Sequence, residues 1–321
     1  MSGFSYQRAT DPADALIHAA LPGSAYIAGG TDLLQLWKLG VQAPAQLVDI
    51  SHLKLADITP VDGGVLIGAL ARLSDVASHP GVHRVIADAI LASASGQIRT
   101  MATMGGNLLQ RTRCAYFRTA DLPCNKREPG SGCGAITGEN RGAALFGTSP
   151  ACVATHPSDL AVALSALNAE LDILGPSGTG RVTLADFYRL PAETPDRDTN
   201  LAPGELITGI FVPRATGASI YLKIRDRASF EFAVVSLAAC LQIENGIITT
   251  ARLAAGGVAP MPWRLAAAEA ALIGRAPDAA TFNEAAALAA DGAKPLAQNG
   301  FKITLLRRAV LRALTTIGGQ A

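Results

Sequence analysis

From Ala25 to Leu39 the chain reads Ala-Tyr-Ile-Ala-Gly-Gly-Thr-Asp-Leu-Leu-Gln-Leu-Trp-Lys-Leu, centred on Ile27, Ala28, Gly29, Gly30, Thr31, Asp32, Leu33 and Leu34. A short apolar run that stops at two glycines and resumes as a helix over about 31–39 predicts a strand–turn–helix unit. Paired glycines carry no Cβ, so successive backbone N–H groups can converge on an anion, and the helix start adds favourable potential. A diphosphate is the natural guest of such a turn, although an ordinary structural turn uses the same residues. The spacing is not Gly-x-Gly-x-x-Gly, so no Rossmann dinucleotide site is expected.

Further along, Thr100-Met-Ala-Thr-Met-Gly-Gly-Asn-Leu108 repeats that chemistry, with Thr103, Gly105, Gly106 and Asn107 supplying a hydroxyl, two glycines and an amide. Two such loops can clasp a diphosphate from both sides. Around them the chain alternates short strands and helices, as small α/β layers do. Asp11-Pro12 opens a capped helix over 10–22, strands are expected at 46–50 and 64–70, and a helix at about 84–94. A helix over 159–171 turns into a strand at 170–174, and 191–203 is a polar loop. After a boundary at 213–217 come three antiparallel strands, 219–224, 233–244 and 247–256, with Asn245-Gly246 as a hairpin turn. The rest, 265–314, is alanine-rich helix.

The 321 residues are long enough for two domains, and 49% apolar against 17% charged residues marks a globular chain. Low charge and abundant alanine also suit a subunit whose surface is covered by partners. A net charge of +1 lacks the basic field that general nucleic-acid binding needs. No apolar run approaches the roughly 18 residues needed to cross a bilayer. The opening Met1-Ser-Gly-Phe-Ser-Tyr-Gln-Arg8 has no hydrophobic core of a signal peptide.

Five cysteines are an odd count, which does not suggest a complete disulfide framework. Four are clustered as Cys114-x9-Cys124-x8-Cys133-x18-Cys152, in a stretch, 111–154, where no helical or strand period persists. A structureless stretch of that length needs something to organise it. Four thiolates can hold a [4Fe–4S] cluster, and Arg111, Arg113, Arg118, Lys126 and Arg127 would offset its charge. Zinc also takes four cysteines, usually in paired knuckles that are absent here; disulfides or unrelated cysteines are the other readings. Cys240, alone in an apolar run, reads as a small buried hydrophobe. In Thr155-His-Pro-Ser-Asp-Leu160, Ser158 or Asp159 is expected to cap the following helix, and His156 is not read as catalytic. No nucleophile triad or HExxH motif is found.

Taken together, these segments resemble the FAD-binding subunits of the xanthine dehydrogenase and molybdenum hydroxylase family over essentially the whole chain. Residues 27–34 match the family's first flavin loop and 103–107 its second. His156-Pro-Ser-Asp159 matches the segment whose aspartate contacts the nucleotide part of FAD, and Pro203-Gly-Glu-Leu-Ile207 a flavin-proximal turn. Tyr221-Leu-Lys-Ile-Arg-Asp-Arg227 resembles the start of the C-terminal domain, where Lys223 can approach the flavin. Most members run almost directly from the second flavin loop into the aspartate segment. The insertion at about 111–154 is similar to that of the periplasmic aldehyde oxidoreductase flavin subunits, which hold an added [4Fe–4S] cluster there. The resemblance thus implies Cys114, Cys124, Cys133 and Cys152 as ligands. Hydroxybenzoyl-CoA reductase-like flavin subunits, which also carry an extra cluster, and xanthine dehydrogenase-like ones are the nearest alternatives. A zinc-stabilised scaffold is the non-enzymatic one.

The implied fold is α+β. A two-part α/β FAD-binding domain of PCMH type spans 1–215, and a C-terminal domain of a three-stranded antiparallel sheet plus helices spans 216–321. The implied role is an oxidoreductase subunit in a heterotrimer, with molybdopterin on a large partner and two [2Fe–2S] clusters on a small one. Electrons would pass through FAD to an external acceptor. No residue of this chain is expected to oxidise substrate, so it should be inactive on aldehydes alone. With no signal of its own, the chain is expected to reach the periplasm on a partner's twin-arginine signal, or otherwise to be cytoplasmic.

Overall fold

The computed structural model describes residues 3–319, so Met1 and Ser2 of the opening segment lie outside it. Three sheets organise the chain. The first is small and parallel, with β1 (Ser5–Arg8), β2 (Ser24–Ile27) and β3 (Gln46–Asp49) in the order β1-β3-β2. Its crossovers are helices: Pro12–Ala19, capped by the Asp11 carboxylate with proline in its first turn, and Leu33–Lys38. The second helix is thus shorter than the span 31–39 expected from sequence.

The second sheet is antiparallel. It comprises β4 (Ile58–Val61), β5 (Gly64–Gly68), β6 (Glu170–Gly175), β7 (Gly178–Thr183) and β8 (Leu206–Pro213), in the order β4-β5-β8-β6-β7. Only parts of it were expected from sequence. β5 pairs with β8 and β8 with β6, so residues far apart in the chain complete one another's hydrogen bonds. The helix Arg84–Ala92 buries Val85, Ile86, Ala89 and Ile90 on one face, the spacing of an amphipathic helix.

The third sheet holds β9 (Ala218–Ile224), β10 (Val235–Glu244), β11 (Ile247–Gly256) and β12 (Trp263–Arg264), in the order β12-β11-β10-β9. The three antiparallel strands expected from sequence are present, but the sheet has four. The fourth is two residues long, too short to show a period. Asn245 and Gly246 both have positive φ, 52° and 76°, as the tight hairpin requires. Both faces of this sheet are covered. Ala238 and Cys240 enter the core shared with the helix Asp159–Ala166, while Leu237, Ala239 and Leu241 face the helices Ala279–Leu288 and Phe301–Gly318.

The helix Asp159–Ala166 is buried on nearly every side, which explains its alanine-rich composition. It ends five residues earlier than expected, because Asn168 adopts φ 53° and turns the chain into β6. Its cap is Ser158, whose hydroxyl accepts the Ala161 N–H at 2.9 Å.

Candidate functional site

The first glycine loop links β2 to the helix Leu33–Lys38. Gly30 has φ +68°, a conformation side chains rarely adopt. A Cβ on Gly29 would overlap the Met101 carbonyl, so the two loops touch through backbone. The second loop enters the short helix Met104–Leu108. Thr103 accepts the Gly106 N–H, and Gly105 donates to the Ala69 carbonyl at 2.8 Å. Among the described residues, the loop hydrogen bonds include none donated by the amides of Gly29, Gly30, Thr31 or Asp32. Those donors are available to a ligand.

Between the loops lies a cleft of about 620 Å³, lined by Ile27, Ala28, Gly29, Gly30, Thr31, Asp32 and Leu33 on one side and Thr103, Gly105, Gly106 and Asn107 on the other. Asp159, Ile207 and Lys223 complete it. Of the expected cofactor-binding residues, Leu34 alone is not in the wall. Its side chain folds under Gly30 and is 40% exposed. Volume and partly apolar walls suit an organic cofactor.

Asp159 is buried, and both its oxygens are engaged: Lys223 Nζ donates to one at 2.8 Å and the Tyr221 hydroxyl to the other at 2.6 Å. Burial pushes the carboxyl upward, against the lowering pull of Lys223 and Tyr221. Lys223 also donates to the Ala92 carbonyl. Asp159 therefore holds Lys223 at the cleft floor. Ser158 donates to Asn107 Oδ1 at 2.6 Å, which turns the amide nitrogen of Asn107 away as a free donor. His156 is buried against Tyr188, and burial lowers it to about 4, so it is neutral. It packs under Leu108 rather than taking part in acid–base chemistry.

The cysteine segment runs from Arg111 to Ala154, and its one helix is Ala115–Arg118. The four thiols are gathered: Cys124 and Cys133 form a backbone bridge, Cys114 senses Cys124 and Cys133, and Cys152 senses Cys133 and Cys114. All four are free, and burial raises Cys114 and takes Cys152 to about 11. Cys240 stands apart in the core of the third sheet.

The basic residues, expected to offset cluster charge, also make ties of their own, while Lys126 still exerts a lowering pull on the Cys152 thiol. Arg113 and Arg118 both donate to Asp32, Lys126 and Arg111 pair with Asp198, and Arg127 donates to the carbonyls of Tyr116, Phe117, Ala120 and Leu122. Burial alone would raise Asp198, but Lys126 and Arg111 hold it below the usual carboxylate range. The far end of the segment docks on the C-terminal domain. Leu145 and Phe146 donate to the Val258 carbonyl, and Phe146 stacks on Trp263 at 5.3 Å. Asn299 and Lys302 donate to the carbonyls of Ala143 and its neighbours. The stretch is thus a strap between both domains.

Sequence reasoning missed Arg113 and Arg118 as cleft residues, and also the turn from Arg227 to Phe232 that lines the cleft mouth. An exposed Phe230 and Phe232 in a charged turn are the one sequence signal that pointed there.

A cleft built from two backbone-lined glycine turns, closed by a second sheet domain, defines a flavin-binding module. Residues 2–215 match the FAD binding domain in molybdopterin dehydrogenase, and residues 220–317 match the CO dehydrogenase flavoprotein C-terminal domain. The chain belongs to the FAD-binding medium subunits of the molybdenum hydroxylase family and is an oxidoreductase subunit. It is 47% identical to the aldehyde oxidoreductase FAD-binding subunit PaoB of Escherichia coli, over 100% of both chains. It is 30% identical to the glyceraldehyde dehydrogenase medium chain of Sulfolobus acidocaldarius, covering 85% of this chain and 82% of that one. The fold matches that of reconstituted CO dehydrogenase from Oligotropha carboxidovorans with a TM-score of 0.78 and 23% identity, over 100% of this chain and 99% of that chain. No helix among the described residues is long and apolar enough to cross a membrane.

Proposed function

We propose that this chain is the FAD- and [4Fe–4S]-binding electron-transfer subunit of a heterotrimeric molybdenum-dependent aldehyde oxidoreductase. It would take electrons released on a large molybdopterin subunit, by way of a small subunit with two [2Fe–2S] clusters, and deliver them to an external acceptor. The observation that carries this reading is the pairing of the two-loop cleft with a neighbouring strap that holds four free cysteines near one another. The full-length similarity to an aldehyde oxidoreductase subunit supports the aldehyde class.

Bound FAD supplies the redox chemistry. The protein's part is to offer free amides at 29–32 to the diphosphate, to hold Lys223 through Asp159, and to aim the Asn107 amide into the cleft. Among the described residues no group of three or more His, Cys, Asp or Glu side chains is arranged to hold a metal ion; the cluster reading rests on the spacing of the four cysteines and on the similarity of the chain to an aldehyde oxidoreductase FAD-binding subunit. Cys114, Cys124, Cys133 and Cys152 would be the cluster's ligands. For the compartment, we infer export with a partner that carries the signal.

Absorbance and iron analysis of the purified chain test the cofactors, and turnover assays test the role. Flavin bands with a broad brown shoulder, about four irons per chain, and aldehyde turnover only after reconstitution with the partners are expected. A colourless zinc protein, or aldehyde turnover by the chain alone, would overturn the reading.

A further inference from the structure

Asp32 stands at the start of the helix Leu33–Lys38, where an aspartate ordinarily accepts its own helix's N–H groups, yet it makes no such bond. Its carboxylate turns instead to the cysteine strap. One oxygen accepts the Arg111 N–H at 2.8 Å; the other accepts Arg113 Nη1 at 2.5 Å and Arg118 Nη2 at 2.9 Å. Two guanidiniums on one carboxylate leave one positive charge uncompensated, and all three side chains line the cleft beside the glycine loops. Arg118 is only 14% exposed, its Nε and Nη2 are spent on Thr112, Arg111 and Asp32, and its Nη1 has no partner among the described residues. Arg113 is held from its other side by the Phe232 ring, 4.7 Å from the guanidinium carbon.

We propose that Arg113 and Arg118 form the cationic wall of the diphosphate site, with Asp32 as the residue that positions them. The proposal deepens the flavin reading and rests on it. A mostly buried guanidinium with an unspent N–H beside free backbone amides is a phosphate-binding arrangement, because planar donors meet phosphate oxygens in charge-assisted pairs. Asp32 would repel a diphosphate if it were bare; with two arginines on it, the sign at the wall is reversed. The wall also belongs to the strap. Arg118 closes the short helix that follows Cys114, and its Nε bonds the carbonyl of Thr112, whose hydroxyl reaches Thr155 and receives the Cys114 N–H. Order around the cysteines is therefore transmitted to the flavin's phosphates.

The test is titration of FAD and of riboflavin, which lacks the diphosphate, into the deflavinated full chain, with iron content measured alongside. Arg118→Met should raise the Kd for FAD about 10- to 100-fold, as expected for loss of a hydrogen bond to a charged group, and leave riboflavin binding unchanged. Arg118→Lys, which keeps the charge but not the planar fork, should recover only part of the FAD affinity, and Asp32→Asn should weaken FAD selectively as well. Equal loss of FAD and riboflavin would make Arg118 merely structural and overturn the proposal. Unchanged FAD affinity in Arg118→Met, beside its loss in Gly106→Val, would also overturn it but leave the cleft standing. Unchanged affinity in both would remove the cleft reading as well.

Discussion

Residues 27–34 and residues 111–154 both meet the cleft as loop, but they are held in opposite ways. The glycine loop hangs between β2 and a helix, needs few side-chain bonds, and is shaped by backbone contact with Met101. The cysteine strap has one short helix and a thin core around Phe117 and Ala135. It is fixed by charges and amides that reach several other parts of the molecule, among them Asp32, Asp198, Asp226 and the stretch from Gln298 to Lys302. A loop shaped by backbone tolerates the loss of a side chain. A strap tied by side chains depends on each of them, because breaking a tie leaves a largely buried charge short of a partner.

The largest effect should come from breaking the strap. Serine in place of Cys114, Cys124, Cys133 or Cys152 is expected to abolish bound iron and to raise amide exchange across 111–154. Cys240→Ser should leave iron content intact, since it lies in the core of the third sheet. Equal iron loss in Cys240→Ser and Cys114→Ser would dissolve the distinction between the two sets.

Next comes the glycine loop. A Cβ at Gly106 meets only the Thr103 hydroxyl, so Gly106→Val should fold and yet fill the cleft, losing stoichiometric FAD. Gly29→Val should behave differently. It forces the two loops apart against the Met101 carbonyl and should lower stability as overpacking does, by about 1–3 kcal/mol or more. Full FAD occupancy in purified Gly106→Val would misplace the ligand.

The same contrast explains how far the sequence could be read. The strand into Gly29-Gly30, the Asn245-Gly246 hairpin and β9 to β11 carry local signals, and those elements were legible. The sheet β4-β5-β8-β6-β7 was legible only in pieces. Its members come from 58–68, 170–183 and 206–213, and β7 is exposed along most of its length, so no apolar alternation marks it. At the site, the cleft residues were recognisable because glycines and their flanking hydroxyls are adjacent in sequence. The basic residues are visible in sequence as a charge cluster beside the cysteines, but their ion-pair partners are not. Asp32 and Asp198, which pair with Arg111, Arg113, Arg118 and Lys126, lie more than 70 residues away, and ion pairing at that separation leaves no periodic trace.

At the cleft floor the expected effect falls on stability before cofactor content. Asp159→Ala leaves Lys223 charged and buried with only the Ala92 carbonyl, and should destabilise by about 3–5 kcal/mol, as removal of one member of a buried pair does. Asp159→Asn, which can still accept a hydrogen bond, should cost less. Denaturant midpoints compared with FAD content check this. If Asp159→Ala loses FAD with no change in stability, Asp159 touches the cofactor rather than holding Lys223.

The smallest expected effect concerns the strap's far anchor. Lys302 is buried, and its ammonium donates to the carbonyls of Gly142, Ala143 and Gly257, each at 2.9 Å. Burial pushes its pKa down from 10.5 to about 8, with Arg141 adding to the shift. The unfolded chain therefore binds more protons at this site between about pH 8 and 10.5, and stability must rise with pH across that window. Below about pH 8 both states are charged and the full cost of burying the ammonium is present; above 10.5 both are neutral and it is gone. The ceiling on the gain is about 3 kcal/mol, reduced by the hydrogen bond that the neutral amine gives up. Lys302→Met removes the titration while keeping the stem's packing, so other groups cancel when the two proteins are compared. Wild-type stability minus that of Lys302→Met, from denaturant midpoints, should therefore grow between pH 8 and 10.5. A difference that stays flat would mean that the ammonium is hydrated rather than clamped on the carbonyls. The strap would then be tied to the C-terminal domain by Asn299, the Phe146–Trp263 stack, the bonds to the Val258 carbonyl and the Arg141–Asp226 pair, without help from Lys302.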